Sequence, residues 1–183
     1  MNTLLNTQNT KAGFTLVEMI VTVAIFAMIS SVILTRNAAF DTEVLLNSLA
    51  YEVGLSVREA QQFGINVRTS EGQFDRAYGI FFERERNTYY LFADKNGDQV
   101  YNAPGELVQT YTLGRGTKIF EICDLAVSGC SLSSLTVVFE RPDPDAIINQ
   151  GTMAQAKIGL QEPRGGLRYI YIYSTGQVSV RKL

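Results

Sequence analysis

Residues 14–35 read FTLVEMIVTVAIFAMISSVILT, a run whose single charge is Glu18, with the next at Arg36. A helix needs roughly 20 apolar residues to cross a hydrocarbon core, and this stretch is long enough. Residues 1–13, MNTLLNTQNTKAG, are polar, with one positive charge at Lys11. A secretory signal would carry a small-residue cleavage site after its apolar region. Here the span runs through Ser30 and Ser31 into Arg36 and Asn37 without such a site, and the polar leader ends at Gly13, before the apolar run. The pattern predicts a leader over 1–13 and a membrane helix over 14–35.

Glu18 is the residue that does not belong in oil. On insertion scales a carboxylate at the bilayer centre costs about 2.5–3.5 kcal/mol, and less near the interface. Cleavage between Gly13 and Phe14 would create an α-amino group four residues before Glu18, on the same side of a helix. That amine would compensate the carboxylate within one chain or between neighbours in a bundle. The alternative is an interfacial acid that reaches water by itself.

Lys11-Ala12-Gly13-Phe14-Thr15-Leu16-Val17-Glu18 followed by an apolar span resembles the processing site of type IV pilins and type II secretion pseudopilins. The resemblance implies that a prepilin peptidase cuts after Gly13 and that the new amine on Phe14 is methylated. It also implies that Glu18 pairs with the amine of an adjacent subunit during assembly. The partners it implies are the peptidase, the membrane and other pilin or pseudopilin subunits. The chain would start as a single-pass protein of the cytoplasmic membrane, its head outside the cytoplasm, and end in a filament.

Beyond the span, Leu45, Leu46, Leu49, Val53, Val57 and Ala60 recur at three- and four-residue intervals, with Glu43, Asn47, Glu52, Arg58 and Glu59 off that stripe. This predicts an amphipathic continuation over 36–63 that packs on a sheet. Asn37 and Asp41 mark a candidate bend, Gly54 a weak point, and Gly64 a C-terminal stop. From Gly64 onward, residues 64–183 read as a β-rich head. Expected strands are Ile65–Thr69, Ala77–Phe82, Tyr89–Ala93, Leu107–Leu113, Lys118–Ile122, Leu135–Glu140, Lys157–Leu160, Arg168–Tyr173 and Gln177–Arg181, the last two a tight hairpin around Ser174–Gly176. Helix followed by antiparallel strands makes the fold class α+β, and the resemblance implies the type IV pilin fold. Leu55-Ser56-Val57-Arg58-Glu59-Ala60 and the segment Asp94-Lys95-Asn96-Gly97-Asp98 with Gly105-Glu106 are similar to stretches of GspH/FimT-type minor pseudopilins.

Composition narrows the chemistry. The chain has 183 residues, no histidine, and 16 basic against 18 acidic side chains. Without histidine the commonest general base and transition-metal ligand are missing. No nucleophile–base pair, phosphate loop or carboxylate dyad emerges, so an enzyme is not expected. Glu83, Arg84, Glu85 and Arg86 read as a solvated strand edge.

Three constellations have two readings each. Asp94, Asn96 and Asp98, with the Val100 carbonyl, Asn102 and Glu106, present the alternating oxygens from which calcium loops are built. An Asx/Gly turn needs the same residue types. Cys123 and Cys130 close a short loop if the head lies in an oxidising compartment, and are free thiols otherwise. Arg164, Arg168, Arg181 and Lys182, joined in space by Arg115 and Lys118, would serve a DNA-binding minor pilin. The excess of acids favours solvated surface cations instead. Tyr169, Tyr171 and Tyr173 alternate on one strand and share a face.

Overall fold

The computed structural model describes residues 13–66, 76–127 and 129–182, with side chains throughout except over 35–42. The leader before Gly13, including Lys11 and Ala12, lies outside the described residues. Two compact units divide the chain, Met1–Asp41 and Thr42–Leu183. One helix, α1, is assigned without interruption from Leu16 to Ile65, so the expected bend at Asn37 and Asp41 leaves no break in it.

The helix begins later than expected and ends later too. Phe14 and Thr15 precede it, because Thr15 caps the first turn. At the other end Gly64 sits inside the last turn and is buried. A Cβ there would lie 2.4 Å from the Phe139 carbonyl oxygen. This glycine is a close-approach residue, not a helix stop. The strand expected at Ile65–Thr69 is therefore absent at its start, Ile65 closing the helix, and its residues 67–69 lie outside the described part.

Among the described residues nine strands follow: β1 (Ala77–Glu83), β2 (Thr88–Asp94), β3 (Leu107–Thr112), β4 (Lys118–Asp124), β5 (Ser134–Phe139), β6 (Ala146–Ile148), β7 (Gln155–Gln161), β8 (Leu167–Tyr173) and β9 (Val178–Arg181). They form two antiparallel sheets, one in the order β3-β2-β1-β5-β6 and the other β4-β7-β8-β9. Eight of these elements fall on expected strands, with ends moved by one or two residues. The three-residue β6 was not expected. It lies just beyond Pro142 and Pro144 and owes its place to pairing with β5, Val137 opposite Ile148.

The apolar stripe of the helix does what its spacing predicts. Leu46, Leu49, Ala50, Val53, Val57 and Ala60 are buried, Leu45 being the half-buried margin. Leu46, Ala50, Val53, Val57 and Ala60 join one core with Ile80, Phe82 and Leu91 of the first sheet and Ile119, Ile122, Ile158, Ile170 and Ile172 of the second. Polar links reinforce that packing on one side. Tyr111 Oη donates to a Glu59 carboxylate oxygen at 2.6 Å, Ser56 Oγ and Tyr89 Oη lie 2.9 Å apart, and the Tyr89 and Tyr111 rings stack at 4.9 Å. The architecture is α+β and pilin-like.

Candidate functional site

Among the described residues of the first unit, polar chemistry gathers at Thr15 and Glu18. The Glu18 amide donates to Thr15 Oγ1 at 3.3 Å, and the Met19 amide to the Thr15 carbonyl at 3.2 Å. Thr15-Leu16-Val17-Glu18 thus has the spacing of a capping box, with Glu18 in the first turn. There its negative charge meets the positive end of the helix dipole. The sequence reading missed this, although the T-x-x-E pattern carries the signal. It also took Phe14 as helical, whereas Phe14 and Thr15 lead into the helix. A terminus freed at Phe14 would still stand one turn's reach from Glu18.

Beyond its chain neighbours, no atom of the described residues lies within 4 Å of where a Cβ on Gly13 would be. Every large apolar side chain from Phe14 to Leu34 is between 49% and 80% exposed. Leu16–Leu34 is long and apolar enough to cross a membrane. Such a surface cannot remain in water, since soluble proteins rarely expose contiguous apolar patches above a few hundred Å².

In the second unit the carboxylates of the 94–106 loop face inward to the backbone. Asp94 is buried. Its Oδ1 accepts the Gly97 amide at 2.7 Å and its Oδ2 the Gln99 amide at 2.8 Å. Buried Glu106 accepts from Lys95 N at 2.9 Å and Asn102 N at 2.8 Å. Exposed Asp98 accepts the Val100 amide at 2.9 Å and the Asn96 and Asn102 side-chain amides, and the Val100 amide leads in holding its carboxyl below the usual range. The Val100 carbonyl accepts from Asn102 Nδ2 at 3.4 Å. Tyr101 pins the loop to the sheet, packing on Phe81, Tyr90 and Phe92 with ring centroids 5.4–5.5 Å away. Each oxygen of Asp94 and Glu106 accepts one main-chain amide, the geometry of a self-capped Asx turn.

Cys123 and Cys130 form a disulfide. Together with Glu121 they are the one cluster of metal-type ligands among the described residues, and the disulfide takes two of its three. Lys157 lies 3.0 Å from the third, Glu121, and 4.7 Å above the Tyr169 ring.

Two of the basic residues named for the DNA-binding reading, Arg168 and Lys182, are tied to one acid of the helix, Glu43. Arg168 is 6% exposed, bonded to Glu43 at 3.0 Å and to Asn47 at 3.3 Å. Arg168 is thus a helix-to-sheet tie, and the reading of it as a surface cation is corrected. Lys182 pairs with the same Glu43, whose carboxyl the Lys182 and Arg168 hydrogen bonds hold low. Lys118 is paired with Glu85. Arg181 lies over the Tyr171 ring at 5.3 Å, and Arg115 and Arg164 are exposed.

Residues 8–34 match the family described as the prokaryotic N-terminal methylation motif. No curated protein and no solved structure matches the chain. The matched stretch contains Gly13, Phe14, Glu18 and the exposed apolar helix to Leu34. With the pilin-like α+β architecture, it supports a type IV pilin or pseudopilin-like precursor, whose motif implies processing by a peptidase and assembly with other pilins.

Proposed function

We propose that the chain is a structural subunit of a type IV pilus or type II secretion filament, of the GspH/FimT minor kind, and not an enzyme. The leader stays in the cytoplasm, a prepilin peptidase cuts between Gly13 and Phe14, and the new amine is methylated. The apolar helix passes from the membrane into the filament, carrying the head outside the cytoplasm. One observation carries this reading: the apolar helix Leu16–Leu34 is unburied and begins with a lone carboxylate one turn from the Gly13–Phe14 bond. A surface of that kind demands either lipid or other helices, and exchange of one for the other is what filament assembly requires. The disulfide favours an oxidising compartment for the head.

Chemical sequencing of the protein from native membranes tests the proposal. A mature chain beginning at N-methylated Phe14 is expected, and one still beginning at Met1 would overturn it. The sharing of Glu43 by Arg168 and Lys182 counts against the DNA-binding alternative. A gel shift of the full chain in detergent at low salt is expected to show no retardation.

A further inference from the structure

The first sheet turns one face to the core, and its other face carries a cavity of about 260 Å³. Three segments line it: the 94–106 loop, the stretch leading into and along β5, and the turn after β6. On β5, Leu135, Val137 and Phe139 belong to the core, so Thr136 between them faces the opposite way, onto the cavity floor. Two hydrogen bonds fix that floor. The Thr136 amide donates to Asn149 Oδ1 at 2.9 Å, and the Asn149 amide to the Thr136 carbonyl at 2.9 Å. At the rim, Gln150 Nε2 donates to the Asp98 carbonyl at 3.1 Å and ties the turn to the loop.

The backbone is strained there. Among the described residues five that are not glycine have positive φ, and three of them line this cavity: Gln99 (62°), Asn149 (44°) and Gln150 (57°). Such conformations persist only where the surrounding structure over-determines them, and they gather at ligand clamps and active sites. The polar side chains are also left open. Thr136 is only 7% exposed, yet among the described residues no hydrogen bond engages its hydroxyl or the side chains of Gln99, Ser133 and Ser134. A hydroxyl so withdrawn from water finds its partner in whatever enters the cavity.

The lining selects the chemistry of that ligand. None of the described lining residues is charged, so an ion would lose its water there without compensation. Hydroxyls and carboxamides both donate and accept, which suits a ligand whose own groups do both. Val100 and Leu132 add an apolar corner. Phe81 lies opposite Thr136 in the strand register, and the Tyr101 ring packs 5.4 Å from the Phe81 ring, so aromatic side chains flank the site. Hydroxyls at the edge and an apolar C–H face are the surface of a sugar ring. The volume, just under the roughly 300–1,000 Å³ of drug-sized sites, suits one such ring. We propose that this cavity binds a neutral sugar, an N-acetylated hexose. Its hydroxyls meet Thr136, Ser134 and Ser133, and its acetamido group meets the Gln99 carboxamide with the methyl against Val100 and Leu132.

The site lies wholly within Thr42–Leu183, so its test leaves cleavage at Gly13 to be judged on its own. Isothermal titration is run on the full chain in a detergent without a sugar headgroup. The probes are N-acetylglucosamine and N-acetylgalactosamine, with N-acetylalanine methylamide as the amide-only control. Saturable binding of at least one sugar, in the millimolar range or tighter, is expected, and none of the amide. Thr136→Val keeps the shape of the side chain and both main-chain bonds to Asn149. It should weaken the sugar about tenfold, as the loss of one hydrogen bond would, with the melting temperature held. Ser134→Ala gives the same readout if Thr136→Val does not fold, and Thr110→Val, on exposed β3, should change nothing. No saturable binding of either sugar, equal binding of the amide, or full affinity in both Thr136→Val and Ser134→Ala would overturn the proposal.

Discussion

At Gly64 a single added carbon would fall 2.4 Å from the Phe139 carbonyl oxygen and 2.9 Å from Phe139 Cβ. Backbone cannot yield as a flexible side chain does, so Gly64→Ala should destabilise by roughly 1–3 kcal/mol, the usual cost of overpacking. Gly54 is its counterpart. There the added carbon would meet Val178 Cγ1 at 3.6 Å and Val180 Cγ2 at 3.8 Å, ordinary contact distances. Gly54→Ala should therefore stabilise the helix by about 0.5–1 kcal/mol. Thermal unfolding of the two variants should move in opposite directions, and a stabilised Gly64→Ala would contradict the packing described. Sequence alone sees two glycines in a helical pattern. What separates them is the neighbour each faces, and those neighbours, Phe139 for Gly64 and Val178 with Val180 for Gly54, lie far along the chain from both. Tyr89 shows the same limit. Burial pushes its phenol up to about 12, Ser56 partly opposing this. Burial, then the Glu59 hydrogen bond, raises Tyr111 as well. A phenol raised in the folded state keeps its proton after the unfolded chain has lost it, so stability is whole below about pH 10 and declines from there towards 12. For Tyr89 the loss is of order 2–3 kcal/mol. Tyrosinate absorbance should lag behind a simple titration until unfolding releases it. Tyr89→Phe should remove part of the alkaline decline.

Among elements, the 94–106 loop was legible as a turn of acids and amides, but not in the direction those groups point. Both oxygens of Asp94 and both of Glu106 accept main-chain amides. Hydrogen bonds to charged groups are worth roughly 1.5–3 kcal/mol each, so main-chain amides alone hold this loop in shape. Millimolar calcium should leave the melting temperature unchanged. A ligand present at a hundred times its dissociation constant would add about 2.7 kcal/mol, a rise that could not be missed. Strands were readable where Tyr, Ile and Val alternate between turn residues, as in β1, β2 and β8. β6 was not, because three residues between prolines and an Asn-Gln-Gly turn carry no periodicity of their own. Arg168 was misread for a related reason. Its partners Glu43 and Asn47 lie on the helix, 125 and 121 residues away. A lone arginine in a strand does not announce a distant carboxylate.

For the whole molecule the decisive contrast lies between what folding needs and what assembly needs. The head has its own core and a disulfide, and its packing does not call on Gly13 or Glu18. The existence of the membrane-length helix was legible from composition, whereas its start at Leu16 was not, because the Thr15 cap that sets the first turn went unread. Processing and assembly can therefore be broken one at a time. Gly13→Leu introduces a side chain into open space, so head folding and membrane insertion should be unaffected. Under the proposed function this variant should persist at precursor mass. Glu18→Ala removes the carboxylate but keeps Thr15 and the apolar run. It should be cut and inserted normally, yet enter filaments at a level reduced tenfold or more, because the new amine of a neighbour has no anion to meet. Mass spectrometry of membranes reads the first step and immunoblotting of sheared filaments the second. Normal filament levels of Glu18→Ala would leave the cleavage intact and remove the amine–carboxylate pairing, while mature Gly13→Leu would strike at the processing site itself.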